Sequence, residues 1–171
     1  MENQRAASNQ GTTGSQTTGV RVPGVYDYRN LDLWRRAQEL AVDIIRLGET
    51  LPSSPAGLVL ARQVVRSAAS IGTNIAEGHG RYTFAAYRNH LSIAKGSAAE
   101  TDSWLDLLSR LGYISVETEE PLHSQCLVIL GALTRRMRAL DARLGGPARP
   151  GAREERSVYE TFLSEEIEEA R

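Results

Sequence analysis

Two carboxylates, Glu77 and Glu100, lie beside small residues in two segments with helical periodicity. Such a pair is a candidate for acid–base chemistry. Paired carboxylates in different environments serve as general acid and general base. A partly buried carboxylate is also a good partner for a guanidinium, and Arg62 and Arg66 lie one helical turn apart on a polar face. We favour this structural interpretation. The predicted polar network contains Arg62, Arg66, Ser70, Asn74, Glu77, Ser97 and Glu100, and it is expected to fix the register of two helices.

The sequence lacks the motifs that hold metals or cofactors. The three histidines, His79, His90 and His123, have no carboxylate or second histidine beside them at metal-ligand spacing. The Glu-x-x-His pairs of two-metal bundles, phosphate-binding loops and nucleophile elbows are also absent. We therefore predict no metal, no cofactor and no catalytic activity. Cys126, the single cysteine, has an apolar helical position and is predicted to be a small buried hydrophobe.

Arginine supplies nearly all of the cationic surface, and guanidinium groups contact phosphates bidentately and stack on bases. Alternatively, each arginine belongs to a solvated helix face and pairs with a nearby acid, as Arg36 would with Glu39. Both interpretations stay open for the group Arg135, Arg136 and Arg138. The candidate residues for binding RNA or single-stranded DNA are Arg35, Arg36, Arg88, Lys95, Arg135, Arg136, Arg138 and Arg143.

Four helices must position these side chains, because apolar residues recur at spacings of three and four through most of the chain. The predicted helices run from an N-cap at Asn30 to Gly48, from an N-cap at Ser54 to a left-handed glycine in 78–80, from an N-cap at Thr83 to Gly112, and from Thr118 to Leu144. Their core faces include Ile45, Phe84, Leu111 and Leu144. The connections are short, so the sequence predicts an all-α, antiparallel up-down four-helix bundle.

Composition separates this bundle from its two ends. Residues 1–25 are polar and are predicted to be a disordered leader, residues 26–144 form the bundle, and residues 145–171 are a Gly/Pro linker followed by an acidic amphipathic tail. We expect the tail to pack on a neighbouring subunit or a partner. No apolar run approaches the roughly 20 residues that cross a bilayer, and no signal peptide is present, so a cytoplasmic protein without membrane contact is expected.

The predicted second and third helices also carry a family resemblance. Residues 62–78 read RQVVRSAASIGTNIAEG, and residues 93–97 read IAKGS, followed by Glu100. These strings are similar to a bacterial four-helix-bundle family found in intervening sequences of large-subunit ribosomal RNA genes, which includes the accessory variability protein of diversity-generating retroelements. The resemblance covers about 26–144. It implies a homo-oligomeric ring, a pentamer in the retroelement proteins, which repeats each arginine patch around its axis.

The resemblance implies a non-catalytic accessory protein that binds RNA or single-stranded DNA and a partner reverse transcriptase. A homo-oligomeric scaffold that recognises only protein is the alternative, and an enzyme using Glu77 or Glu100 is a third. The retroelement proteins are strongly basic, whereas this chain has a net charge of −1 and a pI near 6.3. Two explanations stay open: a ribosomal-gene or stand-alone member, or an acidic tail that competes for the arginine surface.

Overall fold

A computed structural model describes residues 27–145, which form a short 3₁₀ turn and four α-helices. The 3₁₀ turn is Tyr28–Asn30, and the helices are α1 (Asp32–Thr50), α2 (Pro55–His79), α3 (Phe84–Arg110) and α4 (Val116–Arg143). The predicted leader, residues 1–25, and the predicted tail beyond Gly145 lie outside the described residues. The all-α prediction is confirmed.

Contacts between neighbouring helices run in opposite chain directions. From α2 to α3, Ser67 contacts Thr101 and Ser70 contacts Ser97, so the numbers rise on one helix while they fall on the other. The same reversal relates α3 to α4 and α1 to α2. No Cα atoms of the diagonal pairs α1 and α3 or α2 and α4 come within 8 Å. The bundle is therefore antiparallel and up-down, and within its described part no helix has the length and hydropathy to cross a bilayer.

Local side-chain bonds explain where two helices begin. Ser54 Oγ accepts a hydrogen bond from the backbone N–H of Gly57, and Thr83 Oγ1 accepts one from that of Ala86, as predicted. The prediction for Asn30 is wrong, because Asn30 ends a 3₁₀ turn capped by Asp27.

The other predicted bounds need small corrections. Gly80 follows α2 with a φ of −75°, so it caps that helix in the right-handed rather than the left-handed region. α3 ends at Arg110, just before Gly112, whose φ of +68° is left-handed. α4 begins at Val116, two residues before the predicted Thr118, and its N-cap residue Ser115 is extended with no capping hydrogen bond from its side chain.

The core is a single cluster contributed by all four helices. Its largest fully buried side chains include Leu40, Ile44, Ile71, Ile75, Leu91, Leu105, Leu108, Ile129 and Leu133. Cys126 is also fully buried, as predicted. Four predicted core residues are wrong: Ile45, Phe84, Leu111 and Leu144 are each between 43% and 50% exposed. Phe84, Leu111 and Leu144 lie at helix ends, where no further turn covers them, and Ile45 lies beside the apolar stripe of α1 rather than within it.

Candidate nucleic-acid interface

Charge is separated along the bundle axis. The antiparallel order brings the first halves of α1 and α3 to the same end as the second halves of α2 and α4. This half, residues 27–41, 68–97 and 130–145, holds ten Arg and Lys against five Asp and Glu, a net of +5. The other half, residues 42–67 and 98–129, holds four against eight, a net of −4. We call the two halves the arginine end and the acidic end.

Every predicted nucleic-acid-binding residue lies at the arginine end. These are Arg35 and Arg36 on α1, Arg88 and Lys95 on α3, and Arg135, Arg136, Arg138 and Arg143 on α4. Lys95 is the farthest from the tip, since it lies near the middle of α3, where it is half-buried. The helices thus gather candidates that are spread over more than a hundred positions of the sequence.

Aromatic rings and guanidinium groups pack together where α2 turns into α3. The guanidinium carbon of Arg136 lies 5.7 Å from the ring centre of Tyr87, and that of Arg143 lies 5.5 Å from the ring centre of Phe84. Phe84 is half-exposed, and Tyr82 in the turn is fully exposed. Single-stranded nucleic acids bind to surfaces that combine such rings with arginines, because any base can stack on them.

Among the candidate arginines, Arg35, Arg36 and Arg88 lie beside acids, and for Arg35 the contact is Nη2 to Asp32 Oδ1 at 4.0 Å. Arg88 makes two hydrogen bonds to Asp141, at 2.8 and 3.3 Å, which raise the pKa of its guanidinium. Arg36 donates to Asp32 at 2.7 Å rather than to Glu39, and this hydrogen bond lowers the pKa of the Asp32 carboxyl. In the Arg36–Asp32 and Arg88–Asp141 pairs the arginine side chain stays partly exposed, 51% for Arg36 and 34% for Arg88. They position the arginines without removing them from the surface.

The predicted polar network lies between α2 and α3, away from the tip. Ser70 Oγ accepts hydrogen bonds from Ser97 Oγ at 3.0 Å and from the side-chain amide of Asn74 at 3.1 Å. Deeper in the bundle, Ser67 and Thr101 are fully buried and their hydroxyl oxygens are 2.9 Å apart. Ser67 also donates to the carbonyl oxygen of Val64, and Thr101 donates to that of Ser97, so neither buried hydroxyl lacks a partner. These hydroxyl contacts join α2 to α3.

Glu77 and Glu100 lie at different heights along the contact between α2 and α3. Glu100 accepts from Arg66 at 2.5 Å and from the indole N–H of Trp104 at 3.3 Å. Glu77 instead pairs with Arg81, near the end of α2. Glu100 lies opposite Arg66, and Glu77 is eleven residues beyond Arg66 on α2, which is about 16 Å along the helix axis. At that separation the two carboxylates cannot act as an acid–base pair. Arg62 lies outside the network, since its Nε donates to the carbonyl oxygen of Leu58.

His90 continues the polar contacts toward the arginine end. Arg81 Nε lies 3.2 Å from His90 Nε2, and His90 Nδ1 lies 3.5 Å from the side-chain oxygen of Asn74. Because a guanidinium only donates, Nε2 must accept, which assigns the proton to Nδ1. His90 therefore bridges Arg81 and Asn74.

Sequence reasoning missed Tyr82, Arg81 and His90, and it assigned Phe84 to the core. The signal was present, since Arg81, Tyr82 and Phe84 surround the turn between two predicted helices. Side chains at such a turn lack a covering helix on one side. Summing the charges over each half of every predicted helix, rather than over whole helices, would also have revealed the arginine end.

Comparisons with known proteins identify the architecture. The family model described as 23S rRNA-intervening sequence protein matches residues 29–135. Among solved structures, the chain resembles the crystal structure of a protein with unknown function from the S23 ribosomal protein family of Bacteroides thetaiotaomicron VPI-5482. The two are 33% identical with a TM-score of 0.59, over 61% of this chain and 97% of that chain. No curated protein matches. The chain belongs to the 23S rRNA-intervening sequence protein family.

Proposed function

We propose that this protein is a non-catalytic accessory protein that binds RNA or single-stranded DNA through its arginine end. The observation that carries the proposal is the separation of charge, +5 against −4 between the halves of the bundle. A local cationic surface attracts a polyanion even when the whole molecule is nearly neutral. The arginines and exposed rings at the turn after α2 supply phosphate contacts and stacking surfaces together.

Assembly strengthens the proposed interaction. A homo-oligomeric ring, which the family resemblance implies, repeats the arginine end in each subunit and so multiplies the phosphate contacts available to one strand. A partner reverse transcriptase, implied by the likeness to retroelement accessory proteins, belongs to the same proposal. Co-elution of the two purified proteins tests that partnership.

Replacing Arg136 and Arg143 with glutamine is expected to weaken binding of a fluorescent oligo(U) about tenfold at moderate salt. Each lost phosphate contact also lowers the slope of log K against log salt by about 0.7, so the double variant should lose about 1.4. Fluorescence anisotropy titrations at several salt concentrations measure both quantities. Oligo(dT) in parallel compares DNA with RNA.

The matched control is the double substitution Arg62→Gln and Arg110→Gln, which removes the same charge from the acidic end. Both residues are exposed, and Arg110 pairs with Asp106 on its own helix. We expect this control to change affinity less than about twofold. Equal losses in both variants, or an affinity independent of salt, would contradict binding at the arginine end.

The scaffold alternative rests on Gly96. This glycine is exposed in the middle of α3, and a Cβ added to it meets nothing within 4 Å. An interior glycine costs a helix about 1 kcal/mol relative to alanine, and no contact within the described residues offsets that cost. Exposed Ile93 and Leu107 share its face at helical spacing. Close approach of a second copy explains both features.

Gly96→Gln is therefore expected to reduce the assembled mass, because the longer side chain separates the approaching subunits. Ala69→Gln, at an exposed position of α2, is the matched control and should leave the mass unchanged. Light scattering at fixed protein concentration measures both. An unchanged mass for Gly96→Gln would place the subunit contact elsewhere.

A further inference from the structure

The turn between α2 and α3 carries an aromatic ring that lies outside the core. Tyr82 is fully exposed, so both faces of its phenol ring are open to solvent. Phe84, two residues later, begins α3 and is 50% exposed. Single apolar side chains are common on protein surfaces, but two exposed rings at one turn form a patch of the kind that binds a partner.

The rings at this end of the bundle differ in how much of each is covered. Tyr87 is buried, and the guanidinium of Arg136 lies over its ring. The guanidinium of Arg143 lies 5.5 Å from the ring centre of Phe84 and leaves half of that side chain exposed. Tyr82 is therefore the most accessible of the three rings, Phe84 is partly accessible, and Tyr87 is closed to a ligand.

Backbone geometry sets the spacing of the two accessible rings. Thr83, the N-cap of α3, is extended, with a φ of −121° and a ψ of 146°, and its Oγ1 accepts a hydrogen bond from the backbone N–H of Ala86. The Cα atoms of Tyr82 and Phe84 on either side of it are therefore about 7 Å apart. The two rings thus start from neighbouring points of a capped turn, where two successive groups of one ligand can reach them.

Charge favours a nucleic-acid strand as the partner of these rings. They lie at the arginine end, in the half of the bundle with a net charge of +5. Arg81 beside the turn pairs with Glu77, and Arg143 lies against Phe84. Unpaired nucleotides match this combination, because each has a phosphate for a guanidinium and a base with a π face for a ring. A duplex presents the edges of its bases in the grooves, since their faces are stacked on one another.

We propose that Tyr82 stacks on an unpaired base and Phe84 on its neighbour, so that the protein selects single strands over duplexes whichever sugar they contain. This inference rests on the proposed function and deepens it, since the arginines bind the backbone and the rings distinguish unpaired from paired bases. Phosphate contacts release counterions and stacking does not, so the two contributions depend differently on salt.

Tyr82→Ala in the full chain separates the two contributions. We expect the affinity for fluorescent oligo(U) and oligo(dT) to fall about tenfold, while the slope of log K against log salt stays unchanged. Affinity for duplex RNA and for inorganic polyphosphate, which present few base faces or none, should change less than about twofold. An equal loss for all four ligands, or no loss for the single strands, would overturn the stacking.

Tyr82→Phe and Tyr113→Leu are the matched variants. The first keeps the ring and should bind the single strands as the original protein does. The second removes a ring from the turn between α3 and α4, at the acidic end, and should leave the affinity for single strands unchanged. Tyr82→Ala should keep the original melting temperature, because the side chain is fully exposed. A loss in either matched variant as large as that of Tyr82→Ala would refute the assignment to this ring.

A fluorescent base reports on stacking apart from affinity. 2-Aminopurine loses fluorescence when it stacks on an aromatic ring, so an oligo(U) carrying one such base is mixed with saturating protein. We expect quenching by the original protein and by Tyr82→Phe, and its loss with Tyr82→Ala. Quenching that persists in Tyr82→Ala would assign the stacking to another residue.

The remaining outcomes separate this inference from the proposed function. A fall in assembled mass for Tyr82→Ala, measured by light scattering, would show that the ring contacts a second copy and would overturn the single-strand site. If the double substitution of Arg136 and Arg143 weakens oligo(U) binding and Tyr82→Ala does not, the proposed function stands and the stacking fails. A protein that ignores oligo(U), duplex RNA and polyphosphate at every salt would refute the proposed function itself.

Discussion

Replacing Gly78 with alanine is expected to destabilise the fold by about 2 kcal/mol, whereas the same change at Gly96 should stabilise it by about 1 kcal/mol. At Gly78 an added Cβ would lie 2.6 Å from His90 Cβ and 2.9 Å from Tyr87 Cδ2, so α2 and α3 must separate or rotate. At Gly96 the same atom meets open space and only improves the helix.

Urea unfolding at fixed protein concentration measures both free energies. The two variants are controls for each other, because each adds a single methyl group to a helix. Gly78→Ala should also disturb the turn after α2, because Tyr87 and His90 contact Arg136 and Asn74 there. If Gly78→Ala is as stable as the original protein, α2 and α3 are not as close at this level as described.

The Cys126 thiol is expected to react with a maleimide at pH 8 more than about a thousand times slower in the folded protein than in urea. Burial raises its pKa to about 12, and the negative charge of Asp102 adds to the shift. At pH 8 only about one thiol in ten thousand is then ionised, against about one in ten for an unshifted cysteine with a pKa of 9.0. A Ser103→Cys variant provides an exposed thiol on α3 that should react at once.

The same shift makes stability depend on pH in one direction. The unfolded thiol ionises above about pH 9 and the folded thiol only near 12, so the stabilising difference is complete below pH 9 and is lost as pH rises. Within that window the free energy of unfolding falls by about 1.4 kcal/mol per pH unit through this group. Comparison with Cys126→Ala between pH 9.5 and 10.5 isolates it. Parallel pH dependences in the two proteins would refute the shift.

Cys126 also lies near an acid and an imidazole. His123 Nδ1 lies 2.6 Å from Asp102 Oδ1, and Cys126 follows His123 by one turn of α4. An acid, an imidazole and a thiol in that order resemble a nucleophilic triad. A catalytic thiol has a lowered pKa and access to solvent, whereas that of Cys126 is raised and its side chain is fully buried. Cys126 is therefore placed as a packed core residue.

Periodicity predicted the helices well because each has one stripe that must be buried. It failed at Phe84 and Leu144, since spacing says which face a residue belongs to but not whether a neighbouring helix extends far enough to cover it. The caps at Ser54 and Thr83 were predictable because they depend on bonds within three residues. The 3₁₀ turn before α1 was not, because Asn30 resembles an N-cap residue as well as Asp27 does.

The site was predictable in composition more than in arrangement. The candidate arginines could be named from residue type, but the partner of Arg36 could not, because Asp32 and Glu39 are both within one turn of it. The Ser67–Thr101 contact escaped notice since each residue lies on an otherwise apolar stripe. Long-range pairs of this kind depend on the relative heights of two helices, which spacing within one helix does not fix.

The separation of charge gives a nearly neutral molecule a large electric dipole moment. With +5 and −4 centred about 20 Å apart on helices about 40 Å long, the moment is on the order of 400 debye. An external electric field then exerts a large torque on the molecule but only a small net force, because the net charge is small. The proposed binding of a polyanion would therefore begin with rotation of the protein in solution, before any side chain makes contact.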